Sequence, residues 1–222
     1  MLDSVVFEKI ECYIIYQHVI FKIIKMNKQP KQLTAGIPDS EFIRGDVPMT
    51  KEEIRILSIS KLQLTVGDCL LDVGAGTGSV SIEMARLLPE STVYAVEQKA
   101  KALDLIRLNA LKFETPNIKA IEGKAPEALA NLSGVNKIFI GGSGGNLKEI
   151  IDWVERNCQT GSRVVINAVT LNTLIECRQV FNEQEFSTPE IIQVSINRIE
   201  KLGNAEMFRP QSPIFIISTT RL

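Results

Sequence analysis

The chain has one histidine, His18, and it lies outside the stretch that reads as a folded domain. Ser-His-Asp and Cys-His relays need a positioned imidazole, so covalent acyl transfer is excluded. Zinc loses its usual nitrogen ligand, and the cysteines at 12, 69, 158 and 177 form no CxxC pair, so no metal site is expected. Reduced thiols of a cytoplasmic protein are the reading, with Cys69 in an expected buried strand. Aromatic residues are 6% of the chain, and 25 basic residues meet 26 acidic ones for a net charge of -1. A nucleic-acid binder with a broad basic surface is therefore not expected, which still leaves room for a local basic pocket. Long apolar runs are also missing. Residues 10–24 are rich in isoleucine, valine and aromatics, but Glu11, Gln17, His18 and Lys22 interrupt them, so they do not supply the roughly 20 apolar residues of a membrane span. A basic start and a small-residue cleavage site are absent too, so a secretory leader is not expected.

What remains is 222 residues at 45% hydrophobic, enough for one well-buried core plus an appendage. The first 32 residues differ in composition from the rest. They read as an N-terminal extension, open between an extra amphipathic helix, a peripheral membrane contact and a start-site artefact, since Met26 precedes a polar stretch. Residues 33–222 read as the domain. Thr50 followed by Glu53 forms a capping box for a helix over 51–61. Beyond it, strand-like runs at 69–73, 93–96, 118–121, 137–140 and 163–168 alternate with helical patterns at 79–88, 99–112, 126–132, 146–157 and 171–182. Such alternation predicts βαβ crossovers and a mostly parallel sheet with helices on both faces. Two β-rich segments, 191–199 and 213–219, have no helix between them and predict a closing antiparallel hairpin.

The most informative stretch is Leu-Leu-Asp-Val-Gly-Ala-Gly-Thr-Gly at 70–78. An apolar strand runs through Asp72 into Gly74, Gly76 and Gly78, which permit the sharp turn and close ligand approach that side chains forbid. A helix follows whose first N–H groups are expected to face the same space. The spacing is GxGxG rather than the GxGxxG of dinucleotide folds, and Asp72 stands where those folds carry an apolar residue, so the signal leans to S-adenosyl-L-methionine over NAD.

In an open α/β sheet ligands bind beyond the carboxyl ends of the strands. After the second expected strand stands Glu97, 21 positions beyond Gly76, an acid able to accept two ribose hydroxyls. After the third come Gly123, Lys124 and Ala125. Lys124 cannot accept a bond from an adenine amino group, so adenine recognition falls to backbone around Ala125. After the fourth comes Gly-Gly-Ser-Gly-Gly at 141–145, where Gly142, Ser143, Gly144 and Gly145 offer N–H groups and a hydroxyl to a second substrate. An Asn-Pro-Pro-Tyr or Asp-Pro-Pro-Tyr sequence is absent there, which argues against methylation of an exocyclic amine. Arg44, Arg55, Arg178, Arg198, Lys201 and Arg209 are basic residues open to a polyanionic acceptor, whereas Trp153 and Met84 read as core. No catalytic acid or base is assigned.

The elements Gly-Ile-Pro-Asp-Ser-Glu-Phe (36–42), Val-Pro-Met-Thr-Lys-Glu-Glu (47–53), Asp-Val-Gly-Ala-Gly-Thr-Gly (72–78), Glu-Gly-Lys-Ala-Pro-Glu-Ala-Leu (122–129) and Gly-Gly-Ser-Gly-Gly (141–145) closely resemble the CbiT family. These are decarboxylating cobalt-precorrin-6B methyltransferases, which also form the C-terminal part of CobL enzymes. The likeness covers about residues 35–222. It implies a class I, Rossmann-like methyltransferase fold with a seven-stranded sheet. The implied reaction moves a methyl group from S-adenosyl-L-methionine to carbon 15 of a corrin precursor and releases the ring C acetate carboxyl as carbon dioxide, in cobalamin biosynthesis. By matching position, Thr50, Gly74, Ala75, Gly76, Thr77, Gly78, Glu97 and Ala125 would line the cofactor site. The family also implies a homotetramer. Two rival readings are a tRNA adenine methyltransferase of the same fold and a non-catalytic cofactor-binding module.

Overall fold

Leu70 to Val73 is an apolar run broken only by Asp72, the pattern of a strand buried on both faces. It forms β1 (Leu70–Val73), buried throughout, at the centre of a seven-stranded sheet. The computed structural model describes residues 34–183 and 185–222, so the expectations for residues 1–32, Cys12 and His18 lie outside the described residues.

The elements alternate as the sequence predicts. α1 (Glu52–Leu62) precedes β1, and then come α2 (Ser79–Leu87), β2 (Val93–Glu97), α3 (Ala100–Lys112), β3 (Ile118–Glu122) and β4 (Lys137–Ile140). α4 (Leu147–Asn157), β5 (Arg163–Ala168), α5 (Leu171–Glu183) and β6 (Glu190–Val194) follow. β7 (Asn197–Leu202), β8 (Ala205–Pro210) and β9 (Ile214–Thr220) complete the described chain. The sheet order is β3-β2-β1-β4-β5-β9-β6; β1 to β5 run parallel, and β9 lies antiparallel between β5 and β6. Strand order reverses between β1 and β4, which opens a crevice at their carboxyl ends.

Period-two alternation along the strands sorts the core into two layers. On one face Leu71, Val73, Ile138 and Ile140 pack on Ile150, Trp153 and Val154 of α4 and on Cys177 and Val180 of α5. On the other, Leu70, Val93, Phe139 and Val165 pack on Ile54, Ile59 and Leu62 of α1 and on Val80 and Met84 of α2. Leu103 and Ile106 of α3 cover Ala95 on that same face.

Three local expectations need correction. Lys51, not Thr50, caps α1, and no side chain caps it; the Thr50 carbonyl instead accepts from Arg55 Nη1 at 2.6 Å, and Glu53 pairs with Arg198. The helix expected at 126–132 is a single 3-10 turn, Glu127–Leu129, because only Leu129 is pulled fully into the core. The closing hairpin is more elaborate than two strands. The expected 191–199 segment divides into β6 and β7, and β7 and β8 form a separate two-stranded sheet inserted between β6 and β9. Every residue of β7 and β8 is exposed, so the pair carries no inside-outside alternation for a sequence pattern to show.

Candidate active site

A cavity of about 700 Å³ opens at the carboxyl ends of β1, β2, β3 and β4. Its floor is the turn after β1, Gly74 to Gly76, facing Gly142 after β4. The two turns touch: a methyl group on Gly74, whose φ is +70°, would stand 2.4 Å from the Gly142 carbonyl oxygen. Glycine is required at 74 by contact as well as by backbone angle.

The glycine turn supplies room more than donors. The N–H groups of Gly74 and Ala75 both donate to the Val96 carbonyl, at 2.9 and 3.1 Å, and that of Gly78 donates to Ala75 at 2.8 Å. The Gly76 N–H donates to Glu97 Oε2 at 2.9 Å, and the Lys99 N–H to Oε1 at 3.0 Å. Glu97 is thus fixed at the end of β2 with 7% of its surface exposed, and each carboxylate oxygen keeps a lone pair for a ligand hydroxyl. The first turn of α2, with N–H groups expected to face the ligand, does not line the cavity: Ser79, Val80 and Ser81 are buried, and the Ser81 N–H donates to Asp72.

Asp72 does not reach the cavity. It is fully buried, and its Oδ2 accepts the Ser81 N–H at 3.1 Å and the Ser81 hydroxyl at 2.5 Å. Because the N-cap of α2 is Gly78, which has no side chain to cap it, this carboxylate on the adjacent strand satisfies a donor of the helix's first turn. Burial pushes the Asp72 carboxyl up from 3.8 to about 7; the two Ser81 bonds pull it down, and Glu97 adds a smaller upward push. Among the described residues its Oδ1 has no partner.

Arg55, read from sequence as a surface candidate, is 0% exposed. Its Nε donates to Glu83 Oε1 at 2.8 Å and its Nη1 to Asp39 Oδ1 at 2.6 Å, while Nη2 donates to the Ile37 carbonyl. Glu83 also accepts the N–H groups of Gly36 and Ile37, at 2.8 and 3.1 Å. This explains the Gly-Ile-Pro-Asp sequence: it is strapped to α1 and α2, and the strap carries Val47 to Lys51, one wall of the cavity, at its far end. Removing one partner of such a buried ion pair costs about 3–5 kcal/mol.

The loop after β4 keeps its donors. The N–H groups of Gly141 and Gly142 are taken by Val73, but among the described residues those of Ser143, Gly144 and Gly145 find no acceptor. Lys51, Lys99 and Lys124 line the cavity against one carboxylate, Glu97, so the site is cationic in a chain of net charge -1. Among the described residues no aromatic side chain lines it. On the side toward β5 and β9, Asn167, Val169, Val194, Ile196 and Ile214 form a largely apolar wall.

Of the residues singled out from sequence, Thr50, Gly74, Ala75, Gly76, Glu97, Ala125, Gly142, Ser143 and Gly144 line this one cavity. Asp72, Thr77, Gly78 and Gly145 do not; Thr77 is buried, and Gly78 packs on Ile106 of α3. Met49, Lys51, Gln98, Lys99 and the apolar wall were not singled out, because they come together only through long-range packing. Arg44 and Arg178 are exposed, and Arg209 pairs with Glu200 at 3.1 Å.

Known proteins agree with this architecture. The chain is 36% identical over 181 residues to cobalt-precorrin-6B C(15)-methyltransferase (decarboxylating) of Salmonella typhimurium, covering 81% of this chain and 93% of that protein. The crystal structure of precorrin-6y C5,15-methyltransferase from Geobacter metallireducens matches with a TM-score of 0.80 at 36% identity, over 86% of this chain and 100% of the other. Precorrin 8W decarboxylase of Methanobacterium thermoautotrophicum matches at 0.77 and 31%, over 82% and 98%. A family model for the precorrin methyltransferase domain matches residues 41–221, and the chain belongs to that family.

Proposed function

We propose that this methyltransferase takes its methyl group from S-adenosyl-L-methionine and places it on carbon 15 of precorrin-6B or cobalt-precorrin-6B, with loss of carbon dioxide from the ring C acetate, in cobalamin biosynthesis. The observation that carries the reading is one cavity lined by two unlike groups. Glu97 is held by two backbone amides with lone pairs to spare, and the loop that approaches Lys124 carries Ser143 and Gly144 amides with no acceptor among the described residues. The first suits ribose hydroxyls and the second suits a polycarboxylate.

When bound, S-adenosyl-L-methionine supplies an electrophilic methyl group on a sulfonium. An electron-rich tetrapyrrole carbon needs no protein base to attack such a group, which agrees with a cavity whose one lining carboxylate, Glu97, is held by two backbone amides. The protein's share is alignment of donor and acceptor. Glu97 orients the ribose, backbone at Ala125 borders the adenine, Gly74 lets the two turns close, and the Val169–Ile214 side keeps water from the acceptor. The absence of aromatic lining among the described residues argues against a flipped nucleobase, which is held by stacking.

The reading includes residues 33–222 as the catalytic domain and a homotetramer. Ile199 and Phe208 are cross-strand partners on the β7–β8 sheet, 64% and 75% exposed, and such an apolar pair suits burial against another copy. It also includes a cytoplasmic location, supported by the free thiols of Cys69, Cys158 and Cys177. No helix among the described residues is long and apolar enough to cross a membrane. The test is incubation with precorrin-6B, with and without cobalt, and labelled S-adenosyl-L-methionine. Mass analysis is expected to show one methyl gained and one carbon dioxide lost; transfer of label to bulk tRNA instead would overturn the proposal.

A further inference from the structure

Lys124 follows Gly123, which turns the chain sharply after β3: its φ is +149°, and a methyl group there would stand 2.8 Å from Ala128 Cβ. The turn leaves Lys124 exposed on the cavity rim and sends it toward the loop after β4. A methyl group on Gly144 would stand 3.6 Å from Lys124 Cε and 3.5 Å from Gln98 Nε2. The lysine therefore bridges two strand ends that are not neighbours in the sheet. Among the described residues no carboxylate lies within ion-pair distance of Lys124 or of Lys99, although Lys51 on the opposite wall has Asp39 at 3.6 Å. In the loop that Lys124 approaches, the Ser143 and Gly144 N–H groups have no acceptor among the described residues, and Ser143 adds a hydroxyl.

An ammonium without a carboxylate partner among the described residues, beside a loop with free amides at a cavity rim, suits a carboxylate. Gly142 fits the same picture. A methyl group on it would meet nothing within 4 Å, and its φ lies outside the left-handed region, so the fold does not require glycine there. Its missing side chain leaves space for a ligand.

We propose that Lys124, beside the Ser143 and Gly144 amides, binds a peripheral carboxylate of the methyl acceptor; Lys99 adds charge at the rim. This rests on the reading of the acceptor as a polycarboxylate. The cofactor's own carboxylate is a poor occupant, because Glu97 at the end of β2 places the ribose, and Lys124 stands after β3, on the side where adenine is expected.

The test compares Lys124→Met and Lys124→Arg with the wild type, measuring precorrin-6B turnover over a range of ionic strength and S-adenosylhomocysteine binding by calorimetry. Lys124→Met is expected to raise KM for the acceptor about tenfold, the cost of one charge-assisted hydrogen bond, with kcat and S-adenosylhomocysteine Kd within about twofold of wild type. Lys124→Arg should recover most of the loss. The wild-type KM should rise with salt more steeply than that of Lys124→Met. An unchanged KM would overturn the inference, as would a loss confined to S-adenosylhomocysteine binding, which would assign Lys124 to the cofactor. A wild type inactive on precorrin-6B would instead overturn the proposed function, so the two failures are distinct.

Discussion

Replacing Glu97 by glutamine alters the site without changing its shape, and the consequences can be worked out atom by atom. In the wild type Oε2 accepts the Gly76 N–H at 2.9 Å and Oε1 accepts the Lys99 N–H at 3.0 Å. Glutamine has one carbonyl oxygen, so in either amide orientation one of these backbone donors faces an NH₂ group. That conflict exists before any ligand arrives and lowers stability by about 1–3 kcal/mol, the cost of a buried unpaired donor. Binding suffers separately. On the proposed binding of the ribose at Glu97, two hydroxyls that would meet a carboxylate meet instead one neutral acceptor and one donor, which loses at least one charge-assisted bond, about 1.5–3 kcal/mol, or roughly a 10- to 150-fold rise in Kd. Calorimetric titration with S-adenosylhomocysteine reads the second effect, and urea denaturation of the free protein reads the first. A ligand lacking the ribose hydroxyls should bind wild type and variant almost equally. A variant that binds S-adenosylhomocysteine within threefold of wild type would refute the assignment of Glu97 to the ribose.

Asp72→Asn tests the buried carboxylate through pH. Its pKa is about 7 in the folded protein against 3.8 as its ordinary value, so the folded state holds the proton more tightly. The stability it contributes is complete below pH 4 and is lost as pH rises through 7, at up to about 1.4 kcal/mol per unit. Asparagine removes that titration, so the advantage of wild type over variant should fall by roughly 2–3 kcal/mol between pH 5 and 7 in urea titrations; parallel profiles would rule it out. Two glycine substitutions should separate fold from site. Gly74→Ala, forced to 2.4 Å from the Gly142 carbonyl at a positive φ, should lower stability by more than about 2 kcal/mol, while Gly142→Ala, with open space around it, should stay within about 1 kcal/mol yet slow turnover. Thermal denaturation and a turnover assay on both variants check this, and equal melting temperatures would contradict it.

Much of the fold was legible because its signals are local. The Leu70–Val73 strand, the glycines after it and the regular spacing of later strands each depend on a few adjacent residues, and together they specify a parallel sheet whose strand ends carry the site. Glu97 and the Gly141–Gly145 loop were found for the same reason: in this topology the residue after each strand lies at the site. Where local signals were weak, the reading failed. Thr50 and Glu53 form a capping box in sequence, but Arg55 claims the Thr50 carbonyl and Arg198 claims Glu53, both through tertiary contacts.

The sequence alone determined the class of fold, the alternation of its first five strands with helices, and the placement of a glycine turn and an acid at adjoining strand ends. Only the tertiary structure decided which polar groups are spent and which are free. Asp72 turns to α2 because strand alternation puts it on the same face as Leu70. Arg55 is sealed with Glu83, 28 positions away, and Lys124, beside Gly144, has no ion-pair partner among the described residues. A residue's type states what it can bind, but its partner depends on which distant segments the packed core brings alongside it.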